Sequence, residues 1–387
     1  MKKKLLRFVS LALASFVLGG ISTCAFAEES ESEIDGSNWM SAIKPDVPIT
    51  AVNMPGTHDS STKYVDISPI FKTQDGSVSE QLYRGARYFD MRFELQKDKR
   101  LVAVHSAASC RKAYGVKAEK LTAADAVKMC ADFLKKNPGE TVLFQLKEGN
   151  GKTGTVFFDA FYEQCIKGQE DIWFLENRIP TLGEVRGKIV LLRVVKADRS
   201  KFDDQNSGLD FGAYPHVPVK EVINFISGSM KKASTGKTYS HLYVQDSYKL
   251  GGSKKWQAVT TFLESELDPE NFNICLSSCV GLGLPLMNSR IINHRLKKYD
   301  FKDGKTYGII AMDFLPEDVC RNIYMTNSAI MTETPNAATE YSERTSFTFL
   351  GRTFFVLRSL LFGIVHAVSF IANLFYRKSL CILPRYF

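Results

Sequence analysis

The feature that most limits what this chain can fold into is a recurrence of short apolar runs, rich in β-branched and aromatic residues, each closed by a polar residue or a turn. They are Ile49 to Met54, Ala86 to Phe93, Leu101 to Val104, Thr141 to Leu146, Lys188 to Val194, Leu242 to Gln245, Asn273 to Leu276 and Tyr307 to Met312. Helical patterns separate most of them: Ala123 to Leu134, closed by Asn137-Pro138-Gly139, then Val156 to Ile166, Val219 to Met230, Trp256 to Leu267 and Pro316 to Met325. Buried strands alternating with helices are the signature of an α/β fold, and eight of them predict a single TIM-type β/α barrel. The join from Glu94 to Arg100 is too short for a helix, so the barrel is expected to be irregular and distorted.

In barrels of this class the chemistry gathers at the mouth formed by the C-terminal strand ends. In chain order those ends deliver His58-Asp59, Asp90 with Arg92, His105, Lys147, Arg193, Asp246 with Tyr248, Ser277-Ser278 and Asp313. Imidazole titrates near neutrality and suits both proton uptake and proton delivery. A guanidinium beside it would hold an anion with paired donors. Neither Gly251-Gly252-Ser253 nor Gly281-Leu282-Gly283 has the spacing or strand-to-helix setting of a phosphate-binding fingerprint.

Charge divides unevenly along the chain. The net +8 comes from the ends: residues 1–27 carry +4 and residues 344–387 carry +6, so the body between them carries −2. Such a body lacks the clustered Lys and Arg on which nucleic-acid binding depends, and no nucleic-acid partner is expected. Residues 1–27 run from Lys2-Lys3-Lys4 through an apolar stretch, Leu11 to Ile21, to Ala25-Phe26-Ala27. That order predicts a secretory signal peptide with Glu28 as the mature start; an uncleaved anchor is the alternative. Cys275 and Cys279 have neither a second pair nor a nearby histidine to complete a zinc site.

Several of these strand-end residues sit in longer motifs. MPGTHDS at residues 54–60 is followed by ARYFDMR at 86–92, VAVHS around His105, GETVLFQLKE around Lys147, RGKIVLLR ending at Arg193, YVQDSY holding Asp246 and Tyr248, and GIIAMDF holding Asp313. In order and spacing this set resembles the bacterial phosphatidylinositol-specific phospholipase C family, the X-domain fold, from Ser37 to about Asn327. The resemblance implies a phosphodiesterase that releases diacylglycerol and inositol 1,2-cyclic phosphate from phosphatidylinositol in a bilayer. His58 would be the base and His105 the acid, with Asp313 holding His58 and Asp59 with Arg92 coupled to His105. Asp90, Lys147, Arg193, Asp246 and Tyr248 would meet the headgroup. A gapless alignment sets the family's inositol-binding arginine against Val194, one residue beyond Arg193, an offset that reverses the face of a strand.

Calcium-dependent relatives carry a carboxylate where this chain has Arg92, so the resemblance implies catalysis with no metal and no cofactor. The competing functions are another barrel phosphodiesterase, glycerophosphodiester phosphodiesterase-like or sphingomyelinase D-like, and an inactive membrane-anchored binding protein.

The barrel is expected to occupy residues 28–327, with a polar linker at 328–346. Residues 347–387 follow as an apolar helical tail, with Ser359, Gly363, His366, Ser369, Asn373 and Arg377 on one stripe. A wide apolar face rimmed by cations predicts association with an anionic bilayer. The expected location is extracellular and membrane-associated.

Overall fold

The computed structural model describes residues 33–68, 70–115, 117–149, 153–211, 225–231, 238–280 and 284–342, with backbone alone for 225–231 and 238–241. The expected signal peptide, the apolar tail, His216 and His366 lie outside the described residues.

The strands are β1 (Met54–Thr57), β2 (Tyr88–Leu95), β3 (Leu101–His105), β4 (Ala108–Ser109), β5 (Val142–Glu148), β6 (Trp173–Phe174), β7 (Ile189–Arg193), β8 (Leu209–Asp210), β9 (Phe225–Lys231), β10 (Thr238–Gln245), β11 (Phe272–Leu276) and β12 (Ile309–Met312). One curled sheet takes the order β6-β7-β5-β2-β1-β12-β11-β10-β9, with β8 on the edge of β7. β8, β7, β5, β2, β1, β12, β11 and β10 pair in parallel, giving eight staves whose C-terminal ends face one mouth. No ladder joins β8 to β9 among the described residues, so the barrel is distorted on that side. β1, β7, β11 and β12 are buried along their whole length, as strands covered on both faces must be.

The helices are α1 (Val78–Tyr83), α2 (Ala123–Lys136), α3 (Val156–Phe161), α4 (Leu182–Val185), α5 (Gly252–Glu264), α6 (Pro285–Lys297) and α7 (Glu317–Tyr324). Local chemistry sets their starts. Ser77 with Glu80 and Thr122 with Asp125 form capping boxes on α1 and α2, and Pro285 opens α6 where its missing N–H costs nothing. At the base, buried Arg87 donates to Glu140 at 2.9 and 2.7 Å, while Glu140 accepts from the Met40 and Ser41 amides. This pair ties the N-terminal segment to the start of β2.

Three expectations change, and one helix is new. Leu101 to Val104 is no stave: β3 runs antiparallel to β2 as the return arm of a hairpin, turned by Lys99 at φ 70°. The missing stave is β8, two residues long. Ile49 to Met54 begins as a 3₁₀ turn (Ile49–Ala51) after Pro48, and pairing starts only at Met54. The helix expected over Val219 to Met230 is the strand β9 from Phe225 onward, where Ser227-Gly228-Ser229 weakens a helix and β10 supplies a pairing partner. α6, with no expectation behind it, carries apolar residues too sparse to announce a helix.

The described part of the expected linker is fastened to the barrel base. The amides of Glu333, Asn336 and Thr339 donate to Ala42 O, Ser41 Oγ and Ser37 Oγ. Among the described residues no helix is long and apolar enough to cross a membrane, and the six described cysteines are buried free thiols.

Candidate active site

β1 ends at Thr57 and delivers His58 and Asp59 to the mouth. Asp59 adopts φ 42°, a left-handed turn that Asp tolerates better than most residues. Its carboxylate lies between two rings: Oδ2 is 3.2 Å from His58 Nε2 and 3.2 Å from His105 Nε2. The ring centroids are 6.5 Å apart and nearly perpendicular, at 85°. Arg92 Nε stands 3.2 Å from the other oxygen of Asp59.

Each imidazole has a second acceptor. His58 Nδ1 meets Asp313 Oδ1 at 2.9 Å, and His105 Nδ1 meets the Phe71 carbonyl at 2.7 Å. Acceptors on both sides of the His58 ring, Asp59 and Asp313, call for a hydrogen on each of its nitrogens, the charged form. For His58, burial opposes that charge, but Asp59 and then Asp313 outweigh it and raise the pKa to about 9. For Asp59, burial would raise the pKa; Arg92, His105, His58 and Lys147 together hold the carboxyl well below the usual range.

Asp90 and Arg92 share one face of β2. Asp90 is fully buried and takes Lys147 Nζ at 3.1 Å and Gln145 Nε2 at 3.2 Å. Lys147 is itself only 4% exposed. The mouth encloses a cavity of about 230 Å³ whose walls include His58, His105, Arg92, Asp246, Tyr248 and Asp313. Donor atoms of His58, Asp59 and Asp90 lie within 4.8 Å of one another. Each is already engaged: Asp59 by two imidazoles and Arg92, Asp90 by Lys147, and His58 by two carboxylates.

Known proteins resemble this chain in sequence and in fold. No family model matches the chain. It is 26% identical over 331 residues to a 1-phosphatidylinositol phosphodiesterase of Listeria monocytogenes, across 81% of this chain and 92% of that protein. It is 27% identical over 287 residues to a Staphylococcus aureus protein of the same name, across 70% and 79%. Among solved structures, a Staphylococcus aureus phosphatidylinositol-specific phospholipase C superposes with TM-score 0.59 at 20% identity, covering 76% of this chain and 98% of that one. The Listeria monocytogenes enzyme superposes with TM-score 0.55 at 23%, covering 76% and 99%. The chain is a relative of the bacterial phosphatidylinositol-specific phospholipases C.

Of the residues expected from this phospholipase resemblance, the structure brings His58, Asp59, Arg92, His105, Asp313, Asp246 and Tyr248 to one cavity. Asp90 and Lys147 form a buried pair next to Arg92. Arg193 is elsewhere. Only 2% exposed, it binds Asp210 at 2.7 Å and the carbonyls of Ser207 and Val195, with its guanidinium over Phe158. The strand alternation that turns it away is the one-residue offset visible in the sequence. Thr73, Ser278 and Cys279 also line the cavity. Ser278 stood at a strand end in the sequence, whereas Thr73 sits in a loop that no periodicity marks.

Proposed function

We propose that this chain is a phospholipase C that cleaves phosphatidylinositol to diacylglycerol and inositol 1,2-cyclic phosphate, using two histidines and no metal. The observation that carries the reading is the convergence of His58 Nε2 and His105 Nε2 on the same oxygen of Asp59, each at 3.2 Å, beside Arg92. A phosphodiester occupying that gap has a base on one side, an acid on the other and a fixed cation at its oxygens.

In this reading the headgroup hydroxyl takes the place of Asp59 at His58 Nε2. Asp59 is the largest of the influences that keep His58 charged, so its departure lowers the proton affinity of the ring, which releases its Nε2 proton to solvent and becomes a base. His58 takes the proton of the 2-hydroxyl, that oxygen bonds to phosphorus, and the bond from phosphorus to the glycerol oxygen breaks. His105 Nε2 gives its proton to the leaving oxygen. Asp313 stabilises the imidazolium that forms at His58, and the Phe71 carbonyl keeps His105 in register. The nucleophile belongs to the substrate, which removes most of the entropic cost of bringing it to phosphorus. Water opens the cyclic product with the two rings in exchanged roles.

Metal independence is supported by the ion pairs that already occupy His58, Asp59 and Asp90 and by Arg92, whose charge repels a cation where calcium would need oxygen ligands. Asp246 and Tyr248 are assigned to the headgroup because they line the same cavity as Arg92 and the two histidines. Export is assigned from the leader pattern of residues 1–27, and bilayer attachment from the apolar, cation-rimmed segment 347–387. The test is purified protein with phosphatidylinositol vesicles and excess chelator, followed by phosphorus NMR. Cyclic inositol phosphate appearing first supports the reading; phosphorylated products without a cyclic intermediate, or activity only with added calcium, overturns it.

A further inference from the structure

The strand ends do not orient the two rings by themselves. Residues 71–74, in the connection between β1 and α1, bond to the surroundings of both. The Gln74 side chain, fully buried, donates through Nε2 to His58 O at 2.9 Å and to Met312 O at 2.8 Å. Its Oε1 accepts from the Leu315 amide at 3.3 Å. Gln74 therefore bolts the loop after β1 to the loop after β12, and these are the loops joined by the His58–Asp313 contact. The Thr73 carbonyl takes the Phe314 amide at 2.6 Å, at a residue with φ 48°. Two residues earlier, the Phe71 carbonyl receives His105 Nδ1, and the Phe71 ring meets the His105 ring edge-on at 5.5 Å. The segment is anchored from below, since the Thr73 and Gln74 amides both donate to Thr62 Oγ1 at 3.1 and 3.0 Å.

We propose that residues 71–74 act as a positioning clasp for the reaction: the Gln74 carboxamide sets the separation of His58 from Asp313, and the Phe71 backbone sets the orientation of His105. The inference rests on the function proposed above. Its physical basis is the cost of taking hydrogen-bond partners from buried polar groups. Remove the carboxamide and His58 O keeps only the longer bond from Thr73 Oγ1 at 3.4 Å, Met312 O keeps only the His58 amide at 3.1 Å, and the Leu315 amide loses its acceptor; the two loops then relax about that single backbone bond and the contact between His58 and Asp313 lengthens. Loosen Phe71 and the His105 ring turns about its side-chain torsions, taking Nε2 away from the reacting oxygen. One four-residue segment thereby controls the base and the acid together, although neither Gln74 nor Phe71 supplies an atom to the chemistry.

The experiment compares Gln74→Leu, the milder Gln74→Asn and Phe71→Gly in the full chain. The first readout is proton NMR of the hydrogen-bonded imidazole Nδ1–H signals, recorded without substrate. The second is kcat and KM on phosphatidylinositol micelles. The Gln74 variants are expected to lose or shift the His58 signal and keep that of His105; Phe71→Gly is expected to do the reverse. For each, kcat falls about 100-fold, the lower end of what a well-placed acid or base contributes, while KM stays near the wild-type value. Folded Gln74→Asn protein with both signals and kcat unchanged overturns the proposal. So does loss of the cooperative urea transition in both Gln74 variants, which would assign the carboxamide to the fold alone. Because the NMR signals need no substrate, a wild-type chain that fails to cleave phosphatidylinositol refutes the function and leaves the clasp to be judged by the rings.

Discussion

The charge on His58 makes stability depend on pH in a direction that the site determines. In the folded chain the imidazolium, held by Asp59 and Asp313, persists to about pH 9; the unfolded chain loses the same proton near 6.5. A group whose pKa is raised by folding contributes stability that is fully present below its unfolded pKa and fades as pH climbs through the folded one. At about 1.4 kcal/mol per pH unit, the interval from 6.5 to about 9 corresponds to about 3 kcal/mol. His58→Gln removes the titration and keeps a side chain of similar size that can still hydrogen-bond. Urea unfolding at pH 6 and at pH 9.5 gives the comparison, with every other titrating group common to both proteins. Wild type is expected to lose about 3 kcal/mol more than the variant across that interval. Parallel losses would refute the claim that two carboxylates hold a charged ring at the mouth of the barrel.

Other perturbations separate roles that the sequence left together. Lys147→Met strands the buried Asp90 carboxylate without its nearest cation and is expected to cost about 3–5 kcal/mol in urea unfolding; a loss below about 1 kcal/mol would show that Asp90 does not depend on it. Arg193→Ala is expected to lower stability through the loss of Asp210, Ser207 and Val195 contacts while leaving KM for phosphatidylinositol unchanged, since Arg193 is outside the cavity; a large rise in KM would contradict that placement. Deleting residues 345–387 is expected to abolish sedimentation with anionic vesicles and to leave turnover of a soluble substrate intact. A truncated chain that still sediments like the full one would remove the tail from the account.

The parts of this fold legible in the sequence were those written in long apolar runs. Val142–Glu148 and Ile189–Arg193 could hardly be anything but buried parallel strands. The parts that stayed hidden were short or were decided by partners. β8 has two residues and no periodicity to detect, and β3 carries the same apolar signal as a stave but is turned back by the Lys99 hairpin. For the site, the strand-end positions gathered most of the expected residues at one cavity: β-alternation puts Asp90 and Arg92 on a common face of β2, and Asp246 and Tyr248 follow directly on the end of β10. The same rule could not say which face Arg193 takes without its neighbours. Gln74 and Phe71 were invisible for a different reason: their contribution lies in backbone contacts across the mouth, and a glutamine or a carbonyl in a loop leaves no pattern in the chain.

The most direct measurement of the central claim uses a phosphatidylinositol analogue with sulfur in place of the bridging glycerol oxygen. A thiolate leaves without a proton, so it needs no general acid. With His105→Ala, turnover of the oxygen substrate is expected to fall by about 100-fold or more, and most of the loss should vanish on the sulfur analogue; His58→Ala should remain inactive on both. Rescue of His58→Ala, or equal defects for His105→Ala on the two substrates, would contradict the division of labour between the two imidazoles.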